Sequence, residues 1–305
     1  MKQILLISIL SIMSLMTQAQ DWIDTTMYPF KNHYIELEAG KMHYADQGEG
    51  KTILFVHGTP AWSFLYRNYI DSLSKNYRCI AIDHIGFGLS DKPESFDGTP
   101  QSHSKNLSEF IEKLNLTDIT IVVHDFGGPI GLSAAIQNND KIKQVILFNT
   151  WLWETKSNTN AKRIDKLLNG RMGEFLYLNM NFSPKVLFKK GIYDKKKFTK
   201  QVHKQYIYPF PNKSSRRSLL KIGKSLVGSS DWYQEQWNQL NKLESKPWLV
   251  LWGTKDEFIT PEYLKKWQRR LLNSKVIKYD CGHFVQEEKP METIEAIKSF
   301  LEKNK

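Results

Sequence analysis

Cysteine is scarce in this chain, and its scarcity excludes several classes of protein. Cys79 and Cys281 are the two cysteines among the 305 residues. Two cysteines do not make a disulfide-rich scaffold, and no Cys-x-x-Cys spacing indicates a zinc or redox site. We therefore expect both side chains to be small buried hydrophobes, and we expect no metal.

No apolar run in the sequence is long enough to span a membrane, and one shorter run lies near the start. Lys2 precedes the apolar residues 4–16, and Thr17-Gln18-Ala19 follows them. This order is typical of a secretory signal peptide, whereas a membrane anchor needs roughly 20 apolar residues. The sequence predicts a cleaved signal peptide over residues 1–19, no transmembrane segment, and an exported protein that is periplasmic or secreted.

Positive charge is plentiful, but it is concentrated in one segment. The chain carries a formal charge of +11, and residues 156–224 hold 18 lysines and arginines against three acids. Such a segment is a candidate for weak contact with an anionic surface, although solvated lysine-rich helix faces are the simpler interpretation. We expect no nucleic-acid partner, because no nucleic-acid-binding motif accompanies the charge.

Two kinds of apolar pattern indicate an α/β protein. Residues 33–38 and 41–46 alternate around Ala39-Gly40, which predicts an antiparallel hairpin. Six continuous apolar runs follow, most of them separated by segments of helical length, as in a mostly parallel sheet covered on both faces. These runs are residues 53–56, 79–82, 119–123, 145–148, 248–252 and 276–279.

The interval between the fourth and fifth of these runs is too long for one βα unit. A βα unit needs about 30 residues, whereas residues 149–247 intervene here and contain the basic segment. We predict an inserted helical cap over residues 153–228. The core then comprises residues 20–152 and 229–305.

A strand followed by a sharp turn carries the first candidate catalytic residue. Residues 119–123 lead into His124-Asp125-Phe126-Gly127-Gly128-Pro129 and then into a helix-like segment. This pattern is typical of a nucleophile elbow, with Asp125 at the nucleophile position. The alternative is that Asp125 only caps the helix.

An acid and a histidine follow two later strands. Asp256 comes shortly after residues 248–252, and His283 comes after residues 276–279. Polar groups at the carboxyl ends of parallel strands meet at one edge of the sheet. The order nucleophile, acid, histidine therefore predicts Asp125, Asp256 and His283 as a catalytic triad.

Two further loops bear on the site. Residues 56–60 contain Thr59, whose backbone N–H is expected to form an oxyanion hole with the N–H of Phe126. The loop of residues 83–90 contains a Gly-x-Gly pattern, but the third glycine of a dinucleotide fingerprint is missing. We therefore expect no nicotinamide cofactor, and no cofactor of another kind.

Together these motifs resemble the haloalkane dehalogenase group of α/β-hydrolases. The resemblance extends from the hairpin to the C-terminus, and similar sequences include β-lactone decarboxylases and epoxide hydrolases. It is carried by HGTPAWSFLYR (57–67), DHIGFGLSDKP (83–93), VVHDFGG (122–128), YPFPNKSSR (208–216), LWGTKD (251–256) and CGHFVQEEKP (281–290). The resemblance implies Asp125 as nucleophile, Asp256 as acid and His283 as base.

The chain departs from this family at the groups that hold the leaving halide. Dehalogenases use an indole after the nucleophile together with an Asn or a cap Trp, whereas Phe126 and Thr59 stand at the first two positions. Phe126 has no N–H to donate. Replacement donors could come from Trp62, Trp151 or Trp153, although packing in the core or the cap is the commoner role of such aromatic side chains.

The first interpretation is hydrolysis of a small apolar or halogenated substrate with water through an ester on Asp125. The alternative is opening of an epoxide or β-lactone by the same carboxylate, with Tyr177, Tyr193 or Tyr206 as candidate proton donors. A third interpretation is a catalytically inactive hydrolase fold that serves as a binding protein.

The signal peptide is open to a direct test. If the peptide is removed after Ala19, N-terminal sequencing of the exported protein should begin at Gln20. Recovery of the protein in a membrane fraction with Lys2 retained would instead indicate an anchor.

Overall fold

The computed structural model describes residues 22–304, so the predicted signal peptide lies outside the described residues. Eight strands form one sheet in the order β1-β2-β4-β3-β5-β6-β7-β8. Both pairings of β2 are antiparallel, and the other pairings are parallel. The strands are β1 Asn32–Leu37, β2 Gly40–Gln47, β3 Thr52–Val56, β4 Arg78–Ile82, β5 Ile119–Val123, β6 Ile142–Leu147, β7 Trp248–Gly253 and β8 Lys275–Tyr279.

The predicted strands are all found, with shifts at their ends. β3 and β5 are buried at every position, as continuous apolar runs predict for strands covered on both faces. β6 begins at Ile142, three residues before the predicted start, because pairing with β5 extends it through Lys143 and Gln144. An apolar run cannot reveal polar strand residues of this kind.

Helices cover both faces of the sheet and form the inserted segment. They are α1 Arg67–Leu73, α2 Pro100–Lys113, α3 Gly127–Gln137, α4 Thr159–Asn169, α5 Arg171–Leu178, α6 Phe188–Gly191, α7 Lys200–Ile207, α8 Lys213–Gly228, α9 Ser230–Gln239, α10 Asn241–Glu244, α11 Pro261–Arg270, α12 Val285–Glu288 and α13 Pro290–Lys303. Buried residues of α2, α3, α9 and α11 belong to one apolar cluster. Those of α1 and α13 belong to a second cluster, so the core has two layers.

The long interval between β6 and β7 is helical. Residues 153–228, which we call the cap segment, contain α4 to α8, and α4, α5 and α8 pack against one another. The next helix, α9, packs against α3 of the core. The boundaries of the cap segment remain a prediction, and this arrangement is compatible with them.

Cys79 and Cys281 are both buried and both free thiols, which confirms their interpretation as small hydrophobic residues. Among residues 22–304, no helix combines the length and the apolar character that a membrane span requires.

Candidate active site

Asp125 occupies a sharp turn between β5 and α3. Its φ is 53°, in the left-handed region that residues with a side chain seldom adopt. Glycine is needed two residues after Asp125, since a Cβ on Gly127 would lie 2.4 Å from the carbonyl oxygen of Val56. A Cβ on Gly128 would lie 1.7 Å from the hydroxyl oxygen of Thr150. The helix begins at Gly127, within the glycine pair of the motif.

The Asp125 carboxylate is buried and surrounded by donors. The backbone N–H of Thr59 donates to Oδ1 at 2.8 Å, and Nε2 of His283 lies 3.6 Å from Oδ2. Burial alone would raise the pKa of Asp125, but the positive charge of the neighbouring His283, together with the Phe126 N–H, lowers it below its usual value. Asp125 is therefore ionised at neutral pH without any base to remove its proton.

His283 lies between two carboxylates. Its Nδ1 is 2.7 Å from Oδ2 of Asp256, which leaves Nε2 directed at Asp125. Burial opposes the charged imidazolium, but Asp256 first and then Asp125 outweigh it and raise the pKa of His283 to about 10. The imidazole is therefore protonated while both carboxylates carry their charge.

Asp256 is held by three donors. Its Oδ1 accepts the backbone N–H groups of Phe258 at 2.7 Å and Ile259 at 3.0 Å, and its Oδ2 accepts Nδ2 of Asn149 at 2.9 Å. Asn149 also exchanges hydrogen bonds with the backbone of Gly253. The sequence analysis missed Asn149, although its place directly after β6 is the same signal that identified Asp256 and His283.

The histidine loop is joined to the cap segment by Glu288, another residue that the sequence analysis missed. Buried Glu288 accepts the backbone N–H of Gly282 at 2.8 Å on one oxygen and that of Asp194 at 2.7 Å on the other. The N–H of His283 itself donates to the carbonyl of Gly191 at 2.8 Å. The position of His283 thus depends on the cap segment as well as on β8.

A cavity of about 480 Å³ contains the triad side chains Asp125 and His283. Phe126 and Trp151 also line it, and their rings meet edge to face with centroids 4.9 Å apart. Two buried donors in its wall have no hydrogen-bond partner among residues 22–304, namely Nε1 of Trp151 and the hydroxyl of Thr59. Such unpartnered groups are costly unless a ligand or water satisfies them.

The three candidate tryptophans therefore differ in their placement. Trp151 lines the cavity, whereas Trp62 and Trp153 do not. Trp62 is fully buried and donates its indole N–H to the carbonyl of Gln205 at 2.9 Å. Trp153 packs edge to face against Trp237 and Trp267. The structure does not bring Trp62 or Trp153 to the site.

The candidate tyrosines are divided in the same way. Tyr177 lines the cavity, and burial raises its pKa to about 12, so it keeps its proton. Tyr206 is buried elsewhere and donates to Glu287. Tyr193 is exposed.

The sequence matches the alpha/beta hydrolase fold family over residues 51–290, and the chain belongs to this family. It is 32% identical over 288 residues to cis-3-alkyl-4-alkyloxetan-2-one decarboxylase of Shewanella oneidensis, covering 90% of each chain. It is 29% identical over 270 residues to haloalkane dehalogenase 2 of Mycobacterium tuberculosis, covering 88% of this chain and 93% of that protein.

The structure is likewise similar to that of a haloalkane dehalogenase. The crystal structure of haloalkane dehalogenase DatA from Agrobacterium tumefaciens C58 matches with a TM-score of 0.82 and 27% identity, covering 90% of this chain and 97% of that one. The chain is thus an alpha/beta hydrolase related to haloalkane dehalogenases and to decarboxylases of β-lactones, which oxetan-2-ones are. The expected fold, enzyme class and family resemblance are confirmed.

The charge arrangement predicts how His283 titrates. In the wild type its pKa should lie well above the ordinary value, and in Asp125→Asn it should fall, because one of the two carboxylates that favour the imidazolium is gone. ¹⁵N-histidine NMR over a pH series would measure both values, with the His283 signals assigned from their absence in His283→Gln.

His124 provides an internal control for that titration. Burial, and secondarily the charge of His283, lower its pKa to about 3, so its ring should stay neutral throughout. Titration of His283 near about 6.5 in both proteins would contradict the coupling to Asp125.

Proposed function

We propose that this protein hydrolyses small haloalkanes through a covalent ester on Asp125. The observation that carries the proposal is a carboxylate at the elbow, where a serine esterase would have a hydroxyl, with Nε2 of an Asp256-paired His283 3.6 Å away and both side chains lining one cavity. A buried carboxylate is already a nucleophile and can attack an sp³ carbon directly.

In the first step an oxygen of Asp125 attacks the carbon that bears the halogen. The carbon–oxygen bond forms as the carbon–halogen bond breaks, and the halide leaves with the bonding electrons. Oδ1 is held by the Thr59 N–H, so the oxygen on the His283 side is the freer one to attack. The product is an alkyl ester of Asp125 and a halide ion.

Formation of the ester changes the charge around His283. Asp125 becomes neutral, so its part in raising the pKa of His283 disappears while that of Asp256 remains. His283 then gives up its proton to solvent more readily, and the neutral imidazole can take a proton from a water molecule as that water attacks the carboxyl carbon of the ester. The N–H groups of Thr59 and Phe126 would stabilise the oxyanion that forms there. The bond between the carboxyl carbon and the alkyl oxygen then breaks, the alcohol leaves with the proton from His283, and the acid form of Asp125 returns its own proton to His283, which restores the starting ion pair.

The halide must be held as it departs, and two donors are available for this. We assign the role to the indole N–H of Trp151 and the hydroxyl of Thr59, which line the cavity without a protein partner. An unpartnered buried donor favours an anion, because a hydrogen bond to the anion offsets the cost of burying the donor.

Ring opening of a β-lactone is the second candidate, favoured by the 32% identity to a decarboxylase of such compounds. Attack of Asp125 on the sp³ ring carbon that bears the ring oxygen would break that carbon–oxygen bond and release a carboxylate instead of a halide. Loss of carbon dioxide from that carboxylate would form an alkene and expel Asp125 without any water.

Opening of an epoxide is a further alternative. Tyr177 could protonate the epoxide oxygen, since it lines the cavity and keeps its proton.

The covalent intermediate provides the test of the first candidate. His283→Gln should still form the ester from a bromoalkane but should not hydrolyse it, because loss of a general base costs about 10²–10⁴ in rate. Intact mass spectrometry should show one added alkyl group on the protein, which peptide mapping should locate on Asp125. Asp125→Asn serves as the control that forms no ester.

The same variants separate the alternatives. Release of halide by the wild type, with an ester in His283→Gln, supports the dehalogenase. Alkene formation from a β-lactone with no halide release supports the second candidate. Absence of any ester or product in single-turnover assays with haloalkane, epoxide and β-lactone would indicate the binding-protein interpretation.

The leaving-group assignment makes a separate prediction. Trp151→Phe should lower dehalogenation at least tenfold, since loss of one donor to a developing anion typically costs about 10²–10³ when that donor acts in the transition state. Bromide should change the indole fluorescence of the wild type saturably and that of Trp151→Phe much less.

Trp62→Phe and Phe126→Trp are the matched variants. Trp62 is buried outside the cavity, so its replacement should leave the bromide response intact. Phe126→Trp should strengthen it by placing an indole beside Asp125. A flat titration in the wild type and no gain in Phe126→Trp would overturn the halide site and favour ring opening.

We also propose that the mature protein acts outside the cytoplasm, on the strength of the signal-peptide pattern in residues 1–19.

A further inference from the structure

The cap segment carries a concentration of exposed apolar side chains. Eleven large hydrophobic side chains are exposed among residues 22–304, and six of these lie between residues 164 and 186. The six are Ile164, Leu167, Met172, Phe175, Met180 and Val186, and we call them the apolar rim. Single exposed hydrophobic residues are ordinary, whereas a group of them indicates an interaction surface.

The apolar rim adjoins the candidate active site. Ile164 and Leu167 are three residues apart on one face of α4, and both also line the cavity that contains Asp125. Met172 and Phe175 have the same spacing on α5, which packs against α4. Four residues of the apolar rim therefore lie on two helices that pack against each other, and two of these four also line the cavity.

Exposed basic residues alternate with these side chains along the same segment of the chain. Residues 162–190 contain seven lysines and arginines, all exposed, against Asp165 and Glu174. Lys190 pairs with Glu257 at 3.5 Å, and the other six form no ion pair with any residue in the described part of the chain. The seven are Lys162, Arg163, Lys166, Arg171, Lys185, Lys189 and Lys190.

We propose that the apolar rim and these bases bind the surface of an anionic lipid bilayer. A helix surface with exposed apolar residues beside lysine and arginine is suited to the interface, where apolar groups enter the acyl boundary and the bases meet lipid phosphates. A polyanion in water would use the bases but leave the apolar rim exposed. A second copy of the chain would bring the unpaired bases of two such surfaces together, which is unfavourable.

The contact has a consequence for the substrate. Because Ile164 and Leu167 belong to both the apolar rim and the cavity wall, the cavity would open toward the lipid. Apolar substrates dissolved in the bilayer, such as long-chain alkyl halides, could then enter without crossing water. This consequence rests on the proposed function, whereas the lipid contact does not.

Co-sedimentation with vesicles tests the contact. The mature protein should bind vesicles of equimolar phosphatidylglycerol and phosphatidylcholine, should bind pure phosphatidylcholine weakly, and should be released by salt. Met172→Ser/Phe175→Ser should bind the anionic vesicles roughly tenfold more weakly or worse. Lys166→Gln/Arg171→Gln should lose about fivefold for each base removed.

Matched variants on the core provide the controls. Leu272→Ser/Met291→Ser removes two apolar side chains that are exposed outside the cap segment, and Lys275→Gln/Lys278→Gln removes two exposed bases there. Both should bind the vesicles as the wild type does. Equal losses in the cap and core variants would overturn the proposal.

Other occupants would give other results. Binding to soluble polyphosphate as strong as to vesicles, with no effect of Met172→Ser/Phe175→Ser, would assign the surface to a polyanion and overturn the lipid contact. Failure to bind vesicles, with a dimer in analytical ultracentrifugation that Met172→Ser/Phe175→Ser dissociates, would assign it to self-association and also overturn the contact.

A catalytic comparison separates this inference from the proposed function. Met172→Ser/Phe175→Ser should hydrolyse a short, water-soluble bromoalkane at the wild-type rate and a long-chain bromoalkane carried in anionic vesicles at least tenfold more slowly. Vesicle binding without turnover of either substrate would refute the dehalogenase alone. Turnover of the short substrate without vesicle binding would refute the lipid contact alone.

Discussion

The arrangement of the site depends on the close approach of backbone to backbone at the Asp125 turn. A left-handed conformation at a residue with a side chain costs about 1–3 kcal/mol, and the surroundings of Asp125 offset it. Its N–H donates to the carbonyl of Asn149 at 2.9 Å, and its own carbonyl accepts from Gly128 at 2.9 Å and from the Thr150 hydroxyl at 2.5 Å. The backbone of the turn is thus fixed by hydrogen bonds to the loop after β6 and by glycine, which allows the close contact with β3. The orientation of the Asp125 carboxylate follows from this backbone and from the Thr59 N–H that binds it.

A second constraint follows, because the turn places two carboxylates around a single imidazole in a buried site. Asp125 and Asp256 would repel one another without the proton on His283, and His283 would lose its charge to burial without them. Backbone N–H groups and Asn149 satisfy the remaining carboxylate lone pairs. Any change that neutralises Asp125 therefore lowers the proton affinity of His283, and in the proposed mechanism this couples formation of the ester to its hydrolysis.

The sequence predicted the fold and the triad because both follow from patterns along the chain. Buried parallel strands are continuous apolar runs, and the residues after them must meet at one edge of the sheet, which brought Asp125, Asp256 and His283 together. The choice among the three tryptophans could not be predicted, because it depends on where each indole points. The N–H of Trp62 is used by the Gln205 carbonyl, while that of Trp151 has no protein partner. The role of Glu288 could not be predicted either, because its partners are backbone N–H groups from two segments that are distant from each other in the sequence.

If Asp125 attacks as we propose, that attack alone does not distinguish a haloalkane from a β-lactone or an epoxide, so this framework is compatible with each of the three reactions. In each case the leaving group, whether a halide, a lactone carboxylate or an epoxide oxygen, departs from an sp³ carbon and carries the negative charge away. The three leaving groups differ in the protein groups that must stabilise or protonate them. A halide needs donors that do not transfer a proton, as Trp151 and Thr59 can supply, whereas an epoxide oxygen needs a proton, which Tyr177 carries. A lactone carboxylate needs exclusion of water long enough to lose carbon dioxide. In the proposed mechanism the outcome therefore depends on the cavity wall that the cap segment and the loop after β6 build over Asp125, and much less on Asp125, Asp256 and His283 themselves.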